Sequence, residues 1–95
     1  MEVVYLESVQ DDLIWMRKYY EDVFPEGVAQ AQDQFFKVEN MLRGNPAIGF
    51  EVLDGKMREL VIPKTPFSYF YRVKSGRIEI LRIWDNRQNK KYQSI

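Results

Sequence analysis

The sequence predicts an α+β domain: an N-terminal strand, a helical hairpin, then a three-stranded antiparallel meander, with the helices packed on one face of the sheet. Three observations carry the prediction. Apolar residues recur at spacings of three and four from Val9 to Leu42; three β-rich runs joined by turn-forming links fill residues 57–84; and another β-rich run opens the chain.

"EVVYL", residues 2–6, is the opening strand. Ser8 followed by Asp11 resembles a capping box, with Asp in place of the usual Glu or Gln, and so predicts a helix start. Val9, Leu13, Met16, Tyr20 and Val23 then fall along one helical stripe. Pro25 breaks the pattern. Val28, Ala31, Phe35, Val38 and Leu42 restart it until "RGNP" at 43–46 stops it, and the short "FPEG" link makes the two helices a hairpin. Residues 45–56, with Pro46, Gly49, Asp54 and Gly55, read as a loop. "MRELVI" from 57, "FSYFYRV" from 67 and "RIEILRIW" from 77 read as strands, and the brevity of "PKTP" and "KSG" between them makes the strands antiparallel neighbours.

A chain of 95 residues, 45% of them apolar, has material for one core, so a single domain over residues 1–95 is expected. Cysteine is absent, which excludes disulfides, thiolate metal sites and cysteine nucleophiles. Histidine is absent too, which removes the commonest general acid or base near neutral pH and leaves Ser8 and Ser68 without an activating partner. The formal net charge is zero, so the molecule has no long-range field to gather phosphate backbones, and no sequence-specific nucleic-acid binding is expected. There is no phosphate-binding glycine loop, metal-ligand spacing or nucleophile elbow, and neither cofactor nor metal is expected. The opening "MEVVYLESVQDD" lacks a basic, apolar leader and no run of 18 apolar residues occurs, so a cytoplasmic chain without membrane contact is expected.

Alternation places Arg58 on a strand face with Leu60 and Ile62, Arg72 with Ser68 and Phe70, and Arg82 with Ile80 and Trp84. If the register aligns these faces, three guanidinium groups converge on the side of the sheet away from the helices and form an anion site. The alternative is that each arginine lies over apolar neighbours and pairs with Glu59, Glu79 or solvent. After the last run comes a dense polar cluster, Asp85, Asn86, Arg87 and Gln88. Asp85 is either a turn residue bonding its own backbone or Arg87, or part of a site. On the first helix Trp15 and Tyr19 lie off the main stripe; they suit a protein interface, or else cover the flank of the sheet. Lys90, Lys91 and Tyr92 offer a contact surface in the tail or a frayed terminus.

Across nearly its full length the sequence resembles the RelE/ParE family of toxins from bacterial toxin–antitoxin systems. The matching pieces are the opening strand, "DDLIWMRKYY", "LRGNPAIGFEVLDGKMREL", "YFYRV" and "IEILRIWDNRQ". They fit the ParE-like, plasmid-stabilisation branch better than the ribosomal RNases. The resemblance implies a growth-inhibiting toxin held silent by a cognate antitoxin that wraps the helices and sheet edge. In the ParE-like branch the toxin poisons DNA gyrase without chemistry of its own. In the RelE-like branch the implied activity is ribosome-dependent mRNA cleavage, and Arg58, Arg72, Arg82, Asp85 and Arg87 would then be the catalytic set, with Tyr71 or Tyr92 as possible proton donors. Trp15, Tyr19, Gln88, Lys90, Lys91 and Tyr92 are the partner-binding candidates. Many relatives carry a histidine where this chain has Asp85, a departure that also leaves open a relative that keeps the fold but has lost toxicity.

Overall fold

A computed structural model describes residues 1–88 of the chain. Five strands form one sheet in the order β1-β5-β4-β3-β2: β1 (Val3–Tyr5), β2 (Phe50–Val52), β3 (Met57–Val61), β4 (Phe67–Lys74) and β5 (Arg77–Asp85). β2 to β5 make an antiparallel meander, and β1 runs parallel to β5 through Val3–Ile78, Val4–Glu79 and Tyr5–Ile80. The α+β class and the order of elements follow the sequence reading.

β2 lies inside the segment read as a loop. Phe50, Glu51 and Val52 pair with Glu59, Arg58 and Met57. The chain reverses within a few residues because Leu53, Asp54 and Gly55 all adopt left-handed backbone, at φ of 52°, 58° and 79°. Asp and Gly tolerate that region and Leu does not; Leu53 is held there by packing against the Met57–Phe70–Trp84 cluster. Between β4 and β5, Ser75 and Gly76 at φ 56° and 73° make the two-residue turn that matches strand twist.

A 3-10 turn at Glu7–Val9 leads into α1 (Gln10–Lys18), which widens into a π turn over Tyr19–Val23. The Phe24 amide donates to Tyr19 O at 3.1 Å, and Pro25 prevents the helix from continuing. Another 3-10 turn, Pro25–Gly27, starts α2 (Val28–Gly44). Two details of the first helix differ from the sequence reading. No side chain caps its start, since Ser8 is used elsewhere, and the π turn rotates Val23 off the stripe into solvent.

Ser8 instead serves the sheet. β1 covers β5 only as far as Ile80, so the outer edge of β5 beyond it needs hydrogen-bond partners. Side chains of the first helical segment provide two, as Ser8 Oγ donates to Leu81 O at 2.7 Å and Asp12 Oδ2 accepts from Ile83 N at 2.9 Å, and Trp15 Nε1 donates to the side chain of Asp85 at the strand end at 2.9 Å. Spacings of four and three put these residues on one helical stripe, which runs along the strand as a side-chain substitute for a neighbouring strand.

The core lies between helices and sheet, where Val9, Ala31, Val38 and Leu42 meet Ile62, Phe67, Tyr69, Tyr71, Ile78, Ile80 and Ile83. On the opposite, outer face Met57, Phe70 and Trp84 form a smaller buried cluster with Val52, Leu53 and Leu81.

Candidate functional site

The convergent arginine site, which required the three strand faces to coincide, is not formed. Arg58 stands opposite Tyr71, a core residue, and so lies on the helix side of the sheet. Its Nη1 donates to Gly49 O at 2.6 Å and Ala47 O at 3.2 Å, and Nη2 to Glu51 at 3.3 Å, stapling the loop before β2 onto β3. Arg72 lies on the outer face, where Arg72 and Arg77 both grip Glu79, at 2.8 Å and 2.7 Å. Bonds from Arg72 and then Arg77 hold the Glu79 carboxyl below its ordinary pKa.

Arg82 reaches the outer face for a reason alternation cannot show. Phe70 pairs with Arg82 but Tyr71 pairs with Ile80, so Leu81 is the extra residue of a β-bulge. Ile80 therefore faces the helices while Arg82 and Trp84 face away, and the shared face expected for Arg82 and Ile80 is lost. The guanidinium lies 5.6 Å from the Trp84 ring centroid and forks onto Asp12 at 2.8 and 2.9 Å.

At the end of β5, Asp85 pairs with Phe67 in the ladder, on the helix side and therefore across the sheet from Arg72 and Arg82. It is buried and engaged three ways: Arg87 Nε and Nη2 donate to its two oxygens at 2.8 and 2.5 Å, the Arg87 amide donates at 3.0 Å, and Trp15 donates its indole N–H. The turn-residue reading of Asp85 describes this geometry. Arg87 in turn lies 4.1 Å over the Tyr19 ring. Tyr19 packs edge-on against Phe67 and Tyr20, while Trp15 remains half exposed. Trp15, Lys18, Tyr19, Asp22, Val23 and Arg87 border a niche of about 190 Å³. Trp15, Tyr19, Asp85 and Arg87 are thus brought together; Gln88 is exposed beside them, and Lys90, Lys91 and Tyr92 lie outside the described residues.

Burial pushes the Asp85 pKa up, but the bonds from Arg87 and Trp15 outweigh it and hold the carboxyl below the ordinary carboxylate range. A folded-state pKa below the unfolded value contributes stability above the unfolded pKa, near ~4, that is lost as pH falls through the folded one. Stability is therefore expected to be flat through neutral pH and to fall below about pH 4, more shallowly in Asp85→Asn than in the wild type. Urea midpoints measured between neutral pH and strong acid check this; parallel curves for the two proteins would remove Asp85 from the acid response.

A wider concavity lies elsewhere. α1 and α2 do not close on each other, and between them and the sheet runs a groove of about 710 Å³. Leu13, Met16, Ala31, Phe35 and Ile83 line it, with Val28 and Phe36 at its rim, and Phe36 is 64% exposed. Tyr5 on its wall donates to Glu39 of α2, and its hydroxyl lies 2.5 Å from that of the buried Tyr69 behind it. Because Tyr5 spends its proton on Glu39, Tyr69 donates to Tyr5. Burial, chiefly, raises the pKa of both phenols, so both stay protonated. Sequence reasoning missed this chain, whose members are 34 and 64 positions apart; the only signal was tyrosine on the core-facing parity of two strands. Among the described residues no helix is long and apolar enough to cross a membrane.

The family model described as ParE toxin of the type II toxin–antitoxin system, parDE, matches residues 3–90, and the chain belongs to that family. Among solved structures it is similar to a chain of the chromosomal ParDE toxin–antitoxin system from P. aeruginosa, with 26% identity over 87% of this chain and 92% of that one and a TM-score of 0.67. No curated protein matches it.

Proposed function

We propose that this chain is a growth-inhibiting toxin that acts by binding DNA gyrase, and that a cognate antitoxin neutralises it by laying an amphipathic helix into the groove between α1, α2 and the sheet. The observation that carries the reading is the ParE family match over residues 3–90. The open groove supports the antitoxin part, because an apolar channel with Phe36 standing at its rim fits the helix-in-groove mode of recognition. The half-exposed Trp15, the Tyr19–Arg87 stack and Gln88, with Lys90, Lys91 and Tyr92 after them, are the residues proposed to face the target. Trp, Tyr and Arg are the side chains that most often dominate interface energies, and here their rotamers are fixed by mutual bonds.

The alternative, ribosome-dependent RNA cleavage, asks for cations free to hold a phosphate and for a proton donor to the leaving oxygen. Arg72, Arg82 and Arg87 each hold a carboxylate. Asp85 is held ionised, and Tyr71 is buried and donates to Pro46 O at 2.8 Å. Expression of the chain alone is expected to arrest growth and to inhibit supercoiling by purified gyrase, with mRNA on translating ribosomes left intact. Cleavage at codon boundaries, with supercoiling unaffected, would reverse the assignment; no growth arrest at all would support a relative that has lost toxicity.

A further inference from the structure

The charged groups on the groove walls are Arg17, Glu21 and Glu39. Two carboxylates against one guanidinium give the channel an acidic balance within a neutral molecule. Glu39 is the best placed of the three. Its Oε1 accepts from Tyr5, which is itself braced by Tyr69, so the carboxylate is fixed in orientation. Its other oxygen has only a long contact, 3.5 Å, from Arg43, a side chain 44% exposed that can swing into solvent. An ionised carboxylate has about four acceptor positions. An apolar helix filling the groove would strip water from Glu39 while Tyr5 satisfies only part of that capacity, and a desolvated, underbonded carboxylate costs affinity.

We propose that the groove selects for a basic residue: the occupant is an amphipathic helix of a protein partner whose apolar face carries a lysine or arginine that reaches Glu39. The proposal rests on the groove being the antitoxin site. Glu39 thus distinguishes partners, since a helix of the same shape with only aliphatic residues at that position leaves the carboxylate buried and unpaired. The phenols reinforce the preference, because the Tyr69 proton goes to Tyr5 and the Tyr5 proton to Glu39, so neither phenol has a further donor for the remaining lone pairs of the carboxylate.

The test uses the full chain and the antitoxin encoded by the adjoining reading frame, with dissociation constants from titration calorimetry. Three changes are compared: Glu39→Gln, which keeps an acceptor for Tyr5; Phe36→Ala at the rim; and replacement of each lysine or arginine in the antitoxin's toxin-binding segment by methionine. Glu39→Gln is expected to weaken binding about tenfold or more, and one antitoxin substitution is expected to weaken wild-type binding similarly while losing nothing further on Glu39→Gln. The antitoxin substitutions cannot disturb the toxin's folding, so they decide the matter if Glu39→Gln lowers stability. Weakening by Phe36→Ala with no basic residue coupled to Glu39 would sink the charge selection and leave the groove reading intact. Tight binding indifferent to Phe36 and Glu39 alike would overturn the groove itself.

Discussion

Gly49→Ala is expected to destabilise the protein by about 3 kcal/mol, the range of a core overpacked next to rigid groups. A Cβ at this position would stand 2.7 Å from Tyr71 Oη, 2.8 Å from the Glu59 carbonyl oxygen and 2.9 Å from Tyr71 Cε1. None of these can move cheaply. The Tyr71 hydroxyl accepts the Gly49 amide at 2.8 Å while donating to Pro46, and the Glu59 carbonyl belongs to β3. Displacing Tyr71 also leaves the buried Gly49 amide without an acceptor, which adds about 1–3 kcal/mol if the ring swings away entirely. Gly44 provides the contrast. It ends α2 with nothing within 4 Å of its would-be Cβ, so Gly44→Ala is expected to be neutral or stabilising by up to about 1 kcal/mol. Urea denaturation of the pair checks both signs; equal stabilities would mean that the loop before β2 adjusts freely.

Asp12→Ala is expected to cost about 3 kcal/mol, because one small residue holds two different partners. Its carboxylate takes a fork from Arg82 and the amide of Ile83, with the Asp12 side chain only 11% exposed. Removal takes the carboxylate fork from Arg82 and leaves the Ile83 strand amide without its acceptor. The exposed Asp33–Lys37 pair on α2, with side chains 53% and 61% exposed, is the control, and Asp33→Ala is expected to change stability by no more than about 0.5 kcal/mol. If the two alanine variants melted alike, the attachment of α1 to β5 would have to be assigned to apolar contacts alone.

Much of the fold is legible in the sequence because two simple periods write it. The stripe Val9, Leu13, Met16, Tyr20 and the stripe Ala31, Phe35, Val38, Leu42 face the core, and the three β-rich runs are strands β3 to β5. β2 escapes notice because its three residues are flanked by turn formers, and because Gly49, which reads as a loop marker, is required by close approach to Tyr71. The site is less legible. Alternation carries no information about a bulge, so the single residue Leu81 separated Ile80 from the face that Arg82 and Trp84 share. Cross-strand register placed Arg58 on the helix side. The tyrosine chain to Glu39 depends on where a helix crosses a strand, which neither period encodes. Trp15 off the apolar stripe and Asp85 as a turn residue bonded to Arg87 could be read locally, because both depend on near neighbours or on one helix face.

The helix-to-strand bonds along β5 also fix the order of events during biosynthesis. Trp15 and Asp85 are 70 positions apart, as are Asp12 and Arg82, and β1 pairs with residues 78–80. The first strand therefore has no strand to pair with, and the first helix no strand edge to bond, until the ribosome has delivered β5. A chain that stops before β5 is left without a finished sheet, and the cluster of Trp15, Asp85 and Arg87 comes together only once β5 is present.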